Sequence, residues 1–143
     1  MFNASVPQEV LNTLQNNTLA AHLGIEVVEI ASDYIVCSMP VDARTKQPFG
    51  VLHGGASVAL AESLGSLASY LYFAEKGLDQ RAVGLEINAN HVRSVSDGFV
   101  YGKVTALHLG RMTHLWHIEI TDAQGKLVCV SRLTIAVLPP LAP

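Results

Sequence analysis

Charge is scarce in this chain. Nine Lys or Arg and twelve Asp or Glu among 143 residues leave 15% of positions charged and a formal charge of −3, against roughly 25% charged in an ordinary soluble domain. No Lys/Arg run occurs anywhere, which argues against nucleic acid or an anionic membrane as the main partner. Cysteine is rarer still. Cys37 and Cys129 stand in apolar alternating runs without C-x-x-C spacing, which favours buried free thiols in a reducing compartment over a disulfide framework. Met1 to Val10 carry no basic stretch followed by an apolar one, and the expected location is cytoplasmic. The histidines His22, His53, His91, His108, His114 and His117 show no H-x-x-x-H or H-x-H spacing, and the spacing of His114 and His117 puts them on opposite faces of a strand, so no metal site is expected. Ser57, Ser63, Ser66 and Ser69 sit in no G-x-S-x-G elbow, which argues against a serine nucleophile.

What is plentiful is apolar side chain, half of all residues. A chain of this length and composition is expected to form one domain, 1–143, burying about 70% of its unfolded surface. The shortage of solvated side chains points further, to a surface partly covered by another subunit.

Residues Ala56 to Ala74 read ASVALAESLGSLASYLYFA, with one charge, Glu62, and enough Ala and Leu to favour helix. Four serines, a glycine and a central carboxylate make a poor membrane span. A helix apolar nearly all round is instead expected in the middle of a fold, surrounded by other elements. Alternation predicts two short strands before it, Gly24 to Ile30 and Tyr34 to Met39, joined by a hairpin at Ala31-Ser32-Asp33. Four longer strands are predicted after it: Val83 to Val92, Phe99 to Leu109, Thr113 to Thr121 and Lys126 to Leu138. Their linkers Ser94 to Gly98, Gly110 to Met112 and Asp122 to Gly125 carry the Gly, Ser and Asp of tight antiparallel connections, so these four strands are expected to form a meander. The last is apolar on both faces and is expected to be covered on both. With a short leading helix and a loop at Val41 to Gly50, the class is α+β: a curved antiparallel sheet wrapped around one long central helix, its other face left for a second subunit.

The junction Lys46-Gln47-Pro48-Phe49-Gly50-Val51-Leu52-His53-Gly54-Gly55-Ala56 carries the strongest chemical signal. Two glycines at a helix start permit close approach to backbone N–H groups at the positive end of the helix dipole, which is the physics of an oxyanion hole; they also fit a tight turn with close packing. Glu62 lies two turns on, with no Lys or Arg within a turn. In apolar surroundings its carboxylate must be paired, protonated or opened to a cleft, and desolvation would raise its pKa toward that of a base. Ser66, four residues later, is placed to hydrogen-bond it. Seven or eight helical residues separate Gly54-Gly55 from Glu62, about 11 Å of rise. One helix cannot set both around one carbonyl, whereas two antiparallel copies can. His91, Arg93, His108 and Arg111 gather at strand ends, where they suit either solvated loop ends or a phosphate-bearing ligand. Arg132 and Trp116 read as structural.

In MPVDARTKQPFGVLHGGASVALAESLGS (Met39 to Ser66), VGLEINANHVRS (Val83 to Ser94), HLG (His108 to Gly110) and SRLTIAVL (Ser131 to Leu138), the sequence resembles the hotdog-fold acyl-CoA thioesterases, of the small bacterial type found in menaquinone and enterobactin synthesis. The resemblance implies that Glu62 attacks the thioester carbonyl or activates water, and that the Gly54 N–H polarises that carbonyl. It implies that Gln47 and His53 help place the thioester or water, with Ser66 lining the site. It also implies that His91, Arg93, Ser94 and the His108-Leu109-Gly110 turn hold the CoA moiety, which is part of the substrate, so that no separate cofactor is needed. A homotetramer of two dimers, with sites at the dimer interface, belongs to the same expectation. So does an aromatic acyl group, 1,4-dihydroxy-2-naphthoyl being the one suggested by the menaquinone branch. The rival readings are a hydratase or dehydratase of this fold, which would want a second acid or base, and a non-catalytic acyl-CoA binding dimer.

Overall fold

The computed structural model describes Met1, Phe2, Val6, Leu11 and residues 16–141. Most of the Met1 to Val10 stretch therefore lies outside the described residues. The elements are α1 (Leu19–Leu23), β1 (Glu26–Ile30), β2 (Tyr34–Pro40), α2 (Gly54–Lys76), β3 (Arg81–His91), β4 (Phe99–Leu109), β5 (Thr113–Asp122) and β6 (Leu127–Leu138). The expected class holds: one six-stranded antiparallel sheet packed on one long helix.

Local chemistry sets the boundaries. Thr18 caps α1 by accepting the Ala21 N–H, and Gly24 ends it in the left-handed region at φ 70°. Gly24 is therefore a helix stop and not the start of β1, as the sequence reading had it. His53 caps α2 by accepting the Gly55 N–H on Nδ1 at 2.8 Å. Both glycines of the pair consequently lie inside the first turn, two residues before the predicted start. At the far end Gly77, at φ 63°, turns the chain while Leu78 N–H donates to Phe73 O, a Schellman stop.

Strand order departs from the meander. The order is β1-β2-β4-β5-β6-β3, so β4, β5 and β6 are consecutive neighbours while β3 sits at the far edge against β6. Alternation reports which face a side chain takes and is silent on which strand lies beside it. The linker 92–98 is accordingly a crossing loop. It is tied down by Leu52 N–H donating to Val95 O and Val41 N–H donating to Gly98 O, each at 2.8 Å.

The core lies between the sheet and one face of α2. Leu60, Ala61, Leu64 and Ala68 meet Ile35, Met39, Val104, Ile118, Leu133 and Ile135, all buried. Gly65 allows the closest approach, since a Cβ there would stand 2.5 Å from Leu133 Cδ2. Within this layer Trp116 Nε1 donates to Ser69 Oγ at 2.8 Å, and Ser69 Oγ pairs with His114 Nδ1 at 2.9 Å. Burial, with His108 nearby, holds the His114 pKa below its ordinary value.

Two expectations of all-round burial are corrected. The helix is covered on one side by the sheet, with Tyr70 exposed on the other and Glu62 exposed at the β3 edge, because a single sheet reaches only part of a cylinder. On β6, Cys129, Ser131, Leu133 and Ile135 are buried, and on the outer face Val128 is buried as expected, while Arg132 is exposed and Val130, Ala136 and Leu138 are only half-buried. Both cysteines are free and buried. Burial pushes Cys37 up to about 12 and raises Cys129 as well.

Candidate active site

The loop before α2 is built by its own side chains. Thr45 Oγ1 donates to Pro40 O at 2.7 Å, and Arg44 grips Asp42 at 2.7 Å, holding that carboxyl below the usual carboxylate range. Gln47 N–H donates to Val51 O, Gly50 turns the chain at φ 80°, and the Phe49 N–H donates to Gln47 Oε1. The Gln47 amide NH₂ makes no hydrogen bond among the described residues, and Gln47 lines the cleft. Phe49 stands at the tip, 91% exposed.

Between this loop, the first turn of α2 and the end of β3 lies a cleft of about 370 Å³, lined by Gln47, Gly54, Ser57, His91, Arg93 and Ser94 among others. A Cβ at Gly54 would come within 2.9 Å of His91 Nε2, so a side chain there must turn the His91 ring aside. The cap uses the Gly55 N–H, and Ala56 and Ser57 donate to His53 O. The Gly54 N–H, with no acceptor among the described residues, remains for an incoming oxygen. Arg93 is braced by Nε donating to Leu127 O at 3.3 Å. Ser57, a buried residue lining this cleft, was read in the sequence only as a rejected nucleophile; the alternation of a helix face carried no signal of its place here.

The other predicted residues lie elsewhere on the protomer. Glu62 is exposed and makes no hydrogen bond or ion pair among the described residues, so neither the apolar enclosure nor the Ser66 bond expected for it is present in one chain. Its carboxylate lies against Gly84 of β3, whose Cβ, if it had one, would be 2.5 Å from Oε1. Ser66 lines a second, mainly apolar cavity of about 340 Å³ with Ile25, Cys37, Leu64, Leu67 and Tyr70. The His108-Leu109-Gly110 turn is remote from the cleft: His108 is opposite Leu115, whereas His91 shares its sheet row with Cys129, Ile120 and Gly102. The turn is tight, with Gly110 N–H donating to Thr113 O and the His108 ring folded over Gly110. Arg111 is exposed beside it. One protomer thus joins Gln47, Gly54, His91, Arg93 and Ser94, with His53 next to them, and separates these from Glu62, Ser66 and the His108 turn. Among the described residues no three His, Cys, Asp or Glu side chains gather as metal ligands, and no helix is long and apolar enough to cross a membrane.

The profile of the thioesterase superfamily matches residues 49–129. The chain is 50% identical over 138 residues to the 1,4-dihydroxy-2-naphthoyl-CoA hydrolase of Escherichia coli (strain K12), covering 96% of this chain and 99% of that one. It is 52% identical over 130 residues to the proofreading thioesterase EntH of Cronobacter turicensis, covering 91% and 93%. A thioesterase crystal structure from Haemophilus influenzae superposes with a TM-score of 0.91 at 48% identity, over 99% of this chain and 96% of that one.

Proposed function

The chain belongs to the thioesterase superfamily, has its hotdog fold and is a thioester hydrolase, and from that premise we propose that it hydrolyses acyl-CoA, with preference for an aromatic acyl group, in a centre shared by two copies of the chain. The observation that carries this reading is the division of labour along α2. A free Gly54 N–H opens into a cleft at the helix start, and an unpartnered Glu62 carboxylate stands two turns away at the sheet edge. Each needs what the other has, and an antiparallel second helix brings them together.

The sheet supports such a pairing. Among the described residues β3 is hydrogen-bonded on one side only, and its other edge exposes Val83 and Leu85, a template for another strand. Pairing two β3 edges runs the sheets together and places each Glu62 near the partner's cleft. In that centre the thioester carbonyl oxygen accepts from Gly54 N–H, a donor worth about 10²- to 10³-fold in rate. Glu62 either takes the proton of the attacking water or attacks the carbonyl carbon itself. The C–S bond then breaks, and the thiolate leaves as CoA thiol with a proton returned by Glu62 on the water route or taken from water on the other. The water route gives the free acid directly; after direct attack the acyl group stays on Glu62 as a mixed anhydride until water hydrolyses it to the free acid and frees the carboxylate. Gln47 and His53 orient the thioester or water, and Ser66 lines the acyl side. His91, Arg93 and Ser94 hold the CoA moiety with charge-assisted bonds, joined by the His108-Leu109-Gly110 turn of another protomer in a tetramer of two dimers. The apolar cavity beside Ser66 takes the acyl group, and 1,4-dihydroxy-2-naphthoyl-CoA, substrate of the similar Escherichia coli enzyme by its name, is the first acyl-CoA to try.

The test is thiol release from benzoyl-, hexanoyl- and 1,4-dihydroxy-2-naphthoyl-CoA, compared as kcat/KM, for the natural chain and for Glu62→Ala and Glu62→Gln. The expected result is highest kcat/KM with the aromatic thioesters, and variants that keep oligomer and acyl-CoA binding while losing turnover by several orders of magnitude. Unchanged hydrolysis in either variant overturns the role of Glu62. Tight binding without CoA release by the natural chain overturns hydrolysis altogether.

A further inference from the structure

The Glu62 carboxylate reaches the edge of the sheet through a gap in β3. The inward face of that strand carries Ala82, Ile87 and Ala89, all packed against the core, and between them Gly84, which has no side chain. A Cβ at Gly84 would lie 2.5 Å from Glu62 Oε1 and 3.5 Å from Glu62 Cδ, while the next nearest atom, Leu133 Cδ1, would be 3.9 Å away. The space that a side chain at 84 would fill is thus the space the carboxylate occupies. The register slips here too: Gly84 faces Ile135 and Glu86 faces Thr134, leaving Leu85 unmatched, and such a bulge bends a strand and redirects its side chains. A glycine inside a strand is unfavourable by itself, so its place beside the one acidic side chain of the helix middle wants a reason.

We propose that Gly84 is a positioning residue for Glu62: its missing side chain, set on the β3 bulge, keeps open the slot along which the carboxylate is delivered to the shared reaction centre. This rests on the reading of Glu62 given above and adds what determines where its carboxylate stands. Any side chain at 84 must displace it. The atom met first is the tip of a flexible side chain, so the chain can fold around an alanine there by turning Glu62 aside, and the harm falls on geometry more than on stability.

The experiment is Gly84→Ala, made in the natural chain and in Glu62→Ala, with acyl-CoA hydrolysis, oligomeric state and thermal melting measured for each. In the natural background kcat is expected to fall about 100-fold, the scale of a 1 Å misplacement of a reacting group, with KM and the oligomer nearly unchanged. In the Glu62→Ala background the same substitution is expected to leave the residual rate where it was, since no carboxylate remains to be moved. Equal losses in both backgrounds, or a loss confined to KM, overturn the proposal. Should Gly84→Ala fail to fold alone yet fold with Glu62→Ala, the clash with the carboxylate is upheld; failure in both backgrounds assigns Gly84 to the strand and overturns it. If Glu62→Ala hydrolyses at full speed, the reading of Glu62 falls and this inference with it. If Glu62→Ala is slow and Gly84→Ala is fast, only the inference about Gly84 falls.

Discussion

Two inactive variants of this protein are expected to restore each other. Glu62→Ala removes the carboxylate. Gly54→Pro removes the N–H of the first helical residue and spares the helix, because proline is favoured at that position. His53, at φ −69° and ψ 129°, already holds the extended backbone that a residue before proline adopts. The proline ring presses on His91, so this second lesion stays within the cleft. Alone, Gly54→Pro is expected to cost about 10²- to 10³-fold in rate, and Glu62→Ala at least as much. In a mixed dimer whose centres each draw Glu62 from one chain and Gly54 from the other, one centre carries both lesions and the other carries neither. Random exchange of subunits therefore returns about a quarter of the natural activity. Were one chain to supply both groups, every centre in the mixture would keep one lesion and the rate would stay at the parental level. Differently tagged variants, refolded together and assayed for thiol release, decide the matter. A mixture no faster than its parents refutes the shared centre.

Ser69→Ala removes the oxygen that accepts from Trp116 and pairs with His114 in the core. Two buried groups lose their partner at about 1–3 kcal/mol each, so a loss of about 3 kcal/mol in urea unfolding is expected, and a loss below about 1 kcal/mol contradicts it. His114 titrates lower folded than unfolded; its contribution to stability is complete above its ordinary value near 6.5 and is lost as pH falls from there toward the lowered folded value, at no more than about 1.4 kcal/mol per pH unit. Comparing the natural chain with His114→Gln across that window checks this, and identical slopes refute it. Arg93→Ala is expected to raise KM for acyl-CoA more than it lowers kcat; the reverse pattern makes Arg93 a brace for Leu127 O and no more.

The long helix, the strands and the α+β class were legible because hydrophobic period and turn residues are local properties. The place of β3 was not, since a strand's two-residue repeat is the same beside β4 as beside β6. The glycine pair and Glu62 stood out as residue types at odds with an apolar helix. Their spacing pointed to two copies, and one chain indeed leaves them apart. One chain leaves Glu62 exposed, because an apolar helix announces that it will be covered without saying by whom. Gly84 had a faint mark, a lone glycine in an alternating run. Ser57 had none.

Besides its side-chain bonds, the frame of the Gly54 cleft is tied by main chain. Leu52 N–H bonds to Val95 O, joining distant stretches of sequence, while His53 N–H to Thr45 O and Gln47 N–H to Val51 O close the loop on itself, beside the bonds made by the Gln47 and Arg93 side chains. Lining side chains outside those bonds can be exchanged with the main-chain ties intact, so new acyl or nucleotide preferences can be tried there by mutation, and one architecture can serve hydrolases that differ in diet.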